Sequence, residues 1–132
     1  MAQDQPRGRV LVVDDEPDLV RILQFGLQAA GYVVEFASDG QEGLKKAREM
    51  KPDIILLDLM LPKLDGYKVC RMLKFDERYK QIPVIILSAR TQEGDQSLAL
   101  EMGANRFVTK PYDFATILGI VEELLKSSSL KP

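Results

Sequence analysis

From Arg9 onward, short apolar runs alternate with longer stretches in which apolar residues recur every three or four positions. This rhythm repeats five times and predicts five strand–helix units, with strands at residues 10–13, 33–36, 54–57, 84–87 and 106–108. The first, third and fourth runs are apolar on successive residues, as expected of strands buried on both faces of a parallel sheet. Glu35 interrupts the second run, which suits a sheet edge. Right-handed crossovers put helices on both faces. The winding then reverses after the second strand, giving a doubly wound five-stranded parallel α/β sheet of order 2-1-3-4-5 with five helices.

The helical stretches carry matching signals. Leu19, Ile22, Leu23, Leu27 and Ala30 are expected to line the buried face of the first helix, with Pro17 in its opening turn and Gly31 ending it. Asp39 or Ser38 caps the second helix, which stops before Pro52. The third begins near Asp65-Gly66, with Val69, Met72 and Leu73 facing inward. The fourth falls within residues 91–102, where Gly94 interrupts it, and Ile117, Val121, Leu124 and Leu125 line the fifth. One domain is expected over residues 9–126, with flexible termini at 1–8 and 127–132.

Composition narrows the function. A chain of 132 residues, 45% hydrophobic and 29% charged, buries a real core without disulfides. No apolar stretch nears the roughly 20 residues that cross a bilayer, and the run at residues 10–13 is too short for a signal peptide, so a cytoplasmic setting is expected. Cys70 is the only cysteine and is expected to be a buried small hydrophobe without a role. A net charge of −2 argues against direct nucleic-acid binding. The absence of histidine removes the commonest general base and the commonest zinc ligand.

The sheet order gives the remaining polar residues a location. Ligands of such folds bind at the carboxyl ends of the strands flanking the reversal, here the first and third. Asp14-Asp15-Glu16 follows the first strand, Asp58 the third, Ser88 the fourth and Lys110 the fifth. Gathered carboxylates need a compensating cation, and hard oxygen donors suit Mg²⁺. Lys110 offers a positive charge and Ser88 a hydroxyl to an incoming phosphoryl group, with Asp58 placed as its nucleophilic acceptor. Each residue alone has a plainer explanation: a helix cap, a local backbone bond, a turn.

Four segments carry a resemblance. Val12-Val13-Asp14-Asp15-Glu16-Pro17, then Pro52-Asp53-Ile54-Ile55-Leu56-Leu57-Asp58-Leu59-Met60-Leu61-Pro62 with Leu64-Asp65-Gly66, then Ile82-Pro83-Val84-Ile85-Ile86-Leu87-Ser88-Ala89, and Gly103-Ala104-Asn105-Arg106-Phe107-Val108-Thr109-Lys110-Pro111 closely resemble the receiver domains of two-component response regulators. In order and spacing the likeness covers about residues 9–126. It implies a flavodoxin-like fold and phosphorylation of Asp58 by a phosphohistidine on a histidine kinase or histidine phosphotransfer protein. Asp15, Asp58 and the Met60 backbone carbonyl would ligate Mg²⁺ directly, and Asp14 through water.

Ser88 and Lys110 would bond the phosphoryl oxygens, and the Lys110-Pro111 bond would be cis. Inward movement of Ser88 would let Phe107 rotate inward, changing the surface of helix four, strand five and helix five for a downstream protein, an output domain or a homodimer partner. Phe107 stands where tyrosine is frequent, so coupling would rest on packing. Bulky Met60 and Arg90 would hinder the water that removes the phosphoryl group.

Other classes fit less well. A haloacid-dehalogenase-like phosphohydrolase needs an acid–base Asp two residues after the nucleophile, where Met60 stands. An inactive receiver-like interaction domain commonly lacks acidic or lysine positions that are present here. A mononucleotide site lacks its glycine-rich loop, since Asp14-Asp15-Glu16 occupies that position.

Overall fold

The five apolar runs are strands of one parallel sheet in the order β2-β1-β3-β4-β5. They are β1 (Arg9–Val13), β2 (Val33–Ala37), β3 (Ile54–Asp58), β4 (Val84–Ser88) and β5 (Arg106–Thr109). Between and after them lie α1 (Pro17–Ala29), α2 (Gly40–Met50), α3 (Gly66–Lys74), α4 (Asp95–Glu101) and α5 (Phe114–Ser129). The computed structural model describes residues 7–61, 65–89 and 95–129. Arg90 and Gly94 lie outside the described residues. Among those described, no helix is long and apolar enough to cross a membrane.

Alternation along the inner strands divides the core in two. Leu11, Val13, Ile55, Leu57, Val84 and Ile86 face α2, α3 and α4. Val10, Val12, Ile54, Leu56, Ile85 and Leu87 face α1 and α5. Both sets being apolar, the strands read as unbroken hydrophobic runs, and β2, with Val33 and Phe36 part exposed, lies at an edge as expected.

The helix ends follow their capping chemistry. The Asp39 carboxylate accepts from the Glu42 amide at 2.8 Å, and Asp65 accepts from Lys68 at 3.0 Å, satisfying donors that an N-terminal turn leaves open. Two inward faces differ from the periodicity. Val20, not Ile22, joins Leu23 and Leu27 beneath α1, and Ile22 is 57% exposed. In α3, Cys70 joins Val69 and Leu73, while Met72 is part exposed. Residues 20, 23 and 27 form one tight row, and Ile22 lies on its flank.

The described elements extend at both ends of the sheet-and-helix unit. α5 continues to Ser129, and Arg7 is bound on three sides: its amide donates to Gly31 O at 2.9 Å, its guanidinium pairs with Glu122 and stacks on Tyr32. Cys70 is fully buried, and burial pushes its thiol up to about 11, so it is an inert packing residue.

Candidate functional site

β1 and β3 end side by side, so Asp14 and Asp58 meet across the register that pairs Val13 with Leu57. Both carboxylates are buried, with side chains 1% and 5% exposed. Local backbone bonds aim them. The Asp14 carboxylate accepts from the Glu16 amide at 2.9 Å, and Asp58 accepts from the Met60 amide at 3.0 Å. Each leaves its other oxygen facing Lys110.

Lys110 reaches this point because its strand neighbours β4: its amide donates to Ser88 O at 2.8 Å, and the Lys110-Pro111 peptide bond is cis. The ammonium donates to Asp14 at 3.0 Å, Asp58 at 3.1 Å and Glu16 at 2.8 Å. Three carboxylates thus share one ammonium. Oxygens of Asp14, Glu16 and Asp58 lie within 4.8 Å of one another, a hard-donor set that fits a divalent cation.

The electrostatics record this imbalance. Burial raises the Asp14 carboxyl above its usual range, although the Glu16 amide and Lys110 oppose the shift. Burial would lower Lys110, but bonds to Glu16 and Asp14 outweigh it and raise the ammonium above the ordinary lysine range. A raised folded-state pKa has opposite meanings for the two groups. Lys110 stabilises the fold wherever its carboxylate partners are ionised, up to the usual lysine pKa, and that contribution fades as pH rises through its raised folded-state value. Asp14 costs stability once pH passes its unfolded value, because the folded state holds its proton more tightly. Asp14→Asn should therefore raise the melting temperature of metal-free protein by a few degrees at pH 7. That gain should shrink as pH falls toward the carboxylate range, and a melting temperature lowered at pH 7 would contradict it.

Of the residues singled out from sequence, Asp14, Asp58 and Lys110 are in direct contact, and Ser88 is fully buried at the end of the adjoining strand. Asp15 is exposed and outside the group of clustered oxygens, in which Glu16 stands instead. Met60 is 58% exposed at the rim, and Phe107 is half-buried against the α2–α4 side of the core.

Two residues had no role assigned from sequence. Glu16 binds Lys110, and Tyr112 has its hydroxyl buried without a hydrogen-bond partner among the described residues. Burial pushes the Tyr112 phenol up to about 12, so it remains an O–H donor. Position beside Asp15 and Pro111 was their only signal.

A doubly wound parallel sheet with a lysine bridging strand-end aspartates at the winding reversal defines a class of phosphoacceptor switch. Residues 10–122 match the response regulator receiver domain, and the chain belongs to that family. It is a receiver module of two-component signalling. Over 122 residues it is 44% identical to the alkaline phosphatase synthesis transcriptional regulatory protein PhoP of Bacillus subtilis, covering 92% of this chain and 50% of that protein. Over 124 residues it is 41% identical to the DNA-binding dual master transcriptional regulator RpaA of Synechocystis, covering 94% and 52%. The chain thus spans about half the length of these relatives. The receiver domain of a signal transduction histidine kinase from Syntrophus aciditrophicus superposes with a TM-score of 0.87 at 33% identity, covering 95% of each chain.

Proposed function

We propose that Asp58 accepts a phosphoryl group from a phosphohistidine on a partner kinase or phosphotransfer protein, and that the domain acts as a regulatory switch in the cytoplasm. The observation that carries this reading is the Lys110 ammonium held between the buried Asp14 and Asp58 carboxylates at the winding reversal. An Asp58 oxygen forms the new O–P bond as the donor P–N bond breaks, and the imidazole leaves with the bonding pair. Lys110 neutralises charge on the transferring oxygens, and the Ser88 hydroxyl donates to one of them. Mg²⁺, held by Asp15, Asp58 and the Met60 carbonyl with Asp14 behind a water, would supply the rest of that neutralisation.

Partial burial of Phe107 opposite Ile86, two residues before Ser88 on β4, supports a packing response that alters the α4–β5–α5 surface. That surface would engage an output domain, a downstream protein or a second copy. The net charge of −2 favours a protein partner over a phosphate backbone for this domain. Incubation with Mg²⁺ and acetyl phosphate, followed by intact mass measurement, should give one phosphoryl adduct that chelation of the metal prevents. No adduct on the wild type, or an equal adduct on Asp58→Asn, would defeat the proposal.

A further inference from the structure

The net charge of −2 conceals an uneven distribution. Residues 40–51 and 66–81, which form α2, α3 and the turns that follow them, carry nine basic residues against four acidic ones, a net of +5. The rest of the chain therefore sums to −7. α2 and α3 pack side by side over the same half of the core, so these basic residues share one side of the molecule. Four of the nine have partners: Lys46 pairs with Glu42, Arg78 with Asp76 and Lys80 with Glu77, and the Lys74 ammonium donates to Ile82 O. Lys45, Arg48, Lys51, Lys68 and Arg71 form no ion pair among the described residues.

Apolar surface lies among these cations. Gln41, Leu44, Lys45, Arg48 and Glu49 recur at helical spacing along α2 and, with Met72 of α3, line a groove of about 490 Å³. Over those α2 residues the helix advances about 12 Å, roughly two turns. Leu44 is nearly buried at the base of the groove, while Met72 is 44% exposed. Phe75, three residues beyond Met72 at the C-cap of α3, is 71% exposed, and the Arg71 guanidinium lies 5.9 Å from the centre of its ring. Large apolar side chains left in water among unpaired cations are the composition of a contact surface, not of a solvated helix face.

We propose that the α2–α3 groove docks an acidic amphipathic helix of a partner protein. Apolar side chains of that helix, spaced by three and four residues, sit on Leu44, Met72 and Phe75. Carboxylates on its flanks meet Lys45 and Arg48 on the α2 rim, and on α3 Arg71 and Lys68, which is one helical turn before Met72. A phosphate backbone fits less well. Its evenly spaced charges would meet Glu49 among the lining residues and leave Met72 and Phe75 uncovered, whereas a helix can present a neutral or basic side chain to Glu49. The docking does not rest on Asp58 being the acceptor, because α2 and α3 supply every contact.

NMR titration of isotope-labelled protein with a synthetic peptide of about 15 residues, its leucines recurring every three or four positions and flanked by glutamates, tests it. Shifts should be confined to residues 41–49 and 68–75, with a Kd on the order of 100 µM that weakens as salt is added. A scrambled peptide of the same composition keeps the charge and loses the apolar stripe, so it should bind about fivefold more weakly. Lys45→Glu combined with Arg48→Glu should weaken binding about tenfold, and Met72→Ser about threefold, both with melting temperatures close to the wild type because these side chains are exposed. No binding, equal binding of the scrambled peptide, or binding that neither variant weakens overturns the proposal. Tighter binding of a short DNA duplex or of anionic lipid vesicles to the same residues also overturns it. So does self-association of the protein alone that Arg48→Glu abolishes, which would give the groove to a second copy.

Discussion

Lys110→Met is expected to destabilise the metal-free domain by about 3 kcal/mol, because it keeps the apolar stem and leaves Asp14 and Asp58 as buried anions without a counter-charge. For a domain of this size that lowers the melting temperature on the order of 10 °C in a chelating buffer. The loss is mainly the cost of the unpaired carboxylates and so depends on what else can neutralise them. Two further outcomes follow. Asp14→Asn in the Lys110→Met background should recover much of the lost stability, since one of the two stranded charges is gone. Millimolar Mg²⁺ should stabilise Lys110→Met more than it stabilises the wild type, in which the ammonium already occupies part of the site. Thermal melts of the three proteins with and without Mg²⁺ check all three statements. A Lys110→Met protein as stable as the wild type in chelator would show that the ammonium is not what holds the carboxylates together.

The same bridge shows why much of the site was legible in the sequence. Unbroken apolar runs identify strands buried on both faces, five strand–helix units leave one sensible winding, and the winding alone brings residues 14, 58, 88 and 110 to one edge. Asp58 and Lys110 are separated by 52 positions yet end 3.1 Å apart because the strands that precede them are one neighbour removed. Helix phase was less legible. Ile22 and Met72 satisfy a three-four spacing as well as Val20 and Cys70 do, and a small side chain fits closest to the sheet where a long one is displaced to the flank. The Glu16–Lys110 contact and the burial of the Tyr112 hydroxyl were not legible, because they depend on how far side chains reach and not on periodicity. Glu16 occupies a helix N-cap position, and its carboxylate serves Lys110 instead of the helix.

Gly66→Ala should cost about 2 to 3 kcal/mol and lower phosphoryl uptake without altering any residue that bonds the Asp58 carboxylate. Gly66 opens α3 directly beneath the end of β3, where its amide donates to Leu59 O at 3.0 Å. A Cβ there would overlap the carbonyl oxygen of Asp58 and lie 2.7 Å from Leu59 Cα. Both obstacles are backbone, so no rotamer change relieves them. Either α3 retreats from the sheet, opening the packing of Val69 and Leu73, or the β3 terminus shifts and carries the Asp58 carboxylate off Lys110. Gly43→Ala provides the contrast. Its Cβ would come within 2.7 Å of Val13 Cγ1 and 3.0 Å of Cγ2, both side-chain atoms and neither of them backbone, so a small outward shift of α2 relieves the contact and leaves the end of β3 in place. It should cost about 1 kcal/mol and leave phosphoryl uptake nearly unchanged. Melting temperature and adduct formation from acetyl phosphate, measured on both variants, separate the cases. If Gly66→Ala melts with the wild type, or the two substitutions cost the same, the close approach of α3 to Asp58 is not what fixes the Asp58 carboxylate in place.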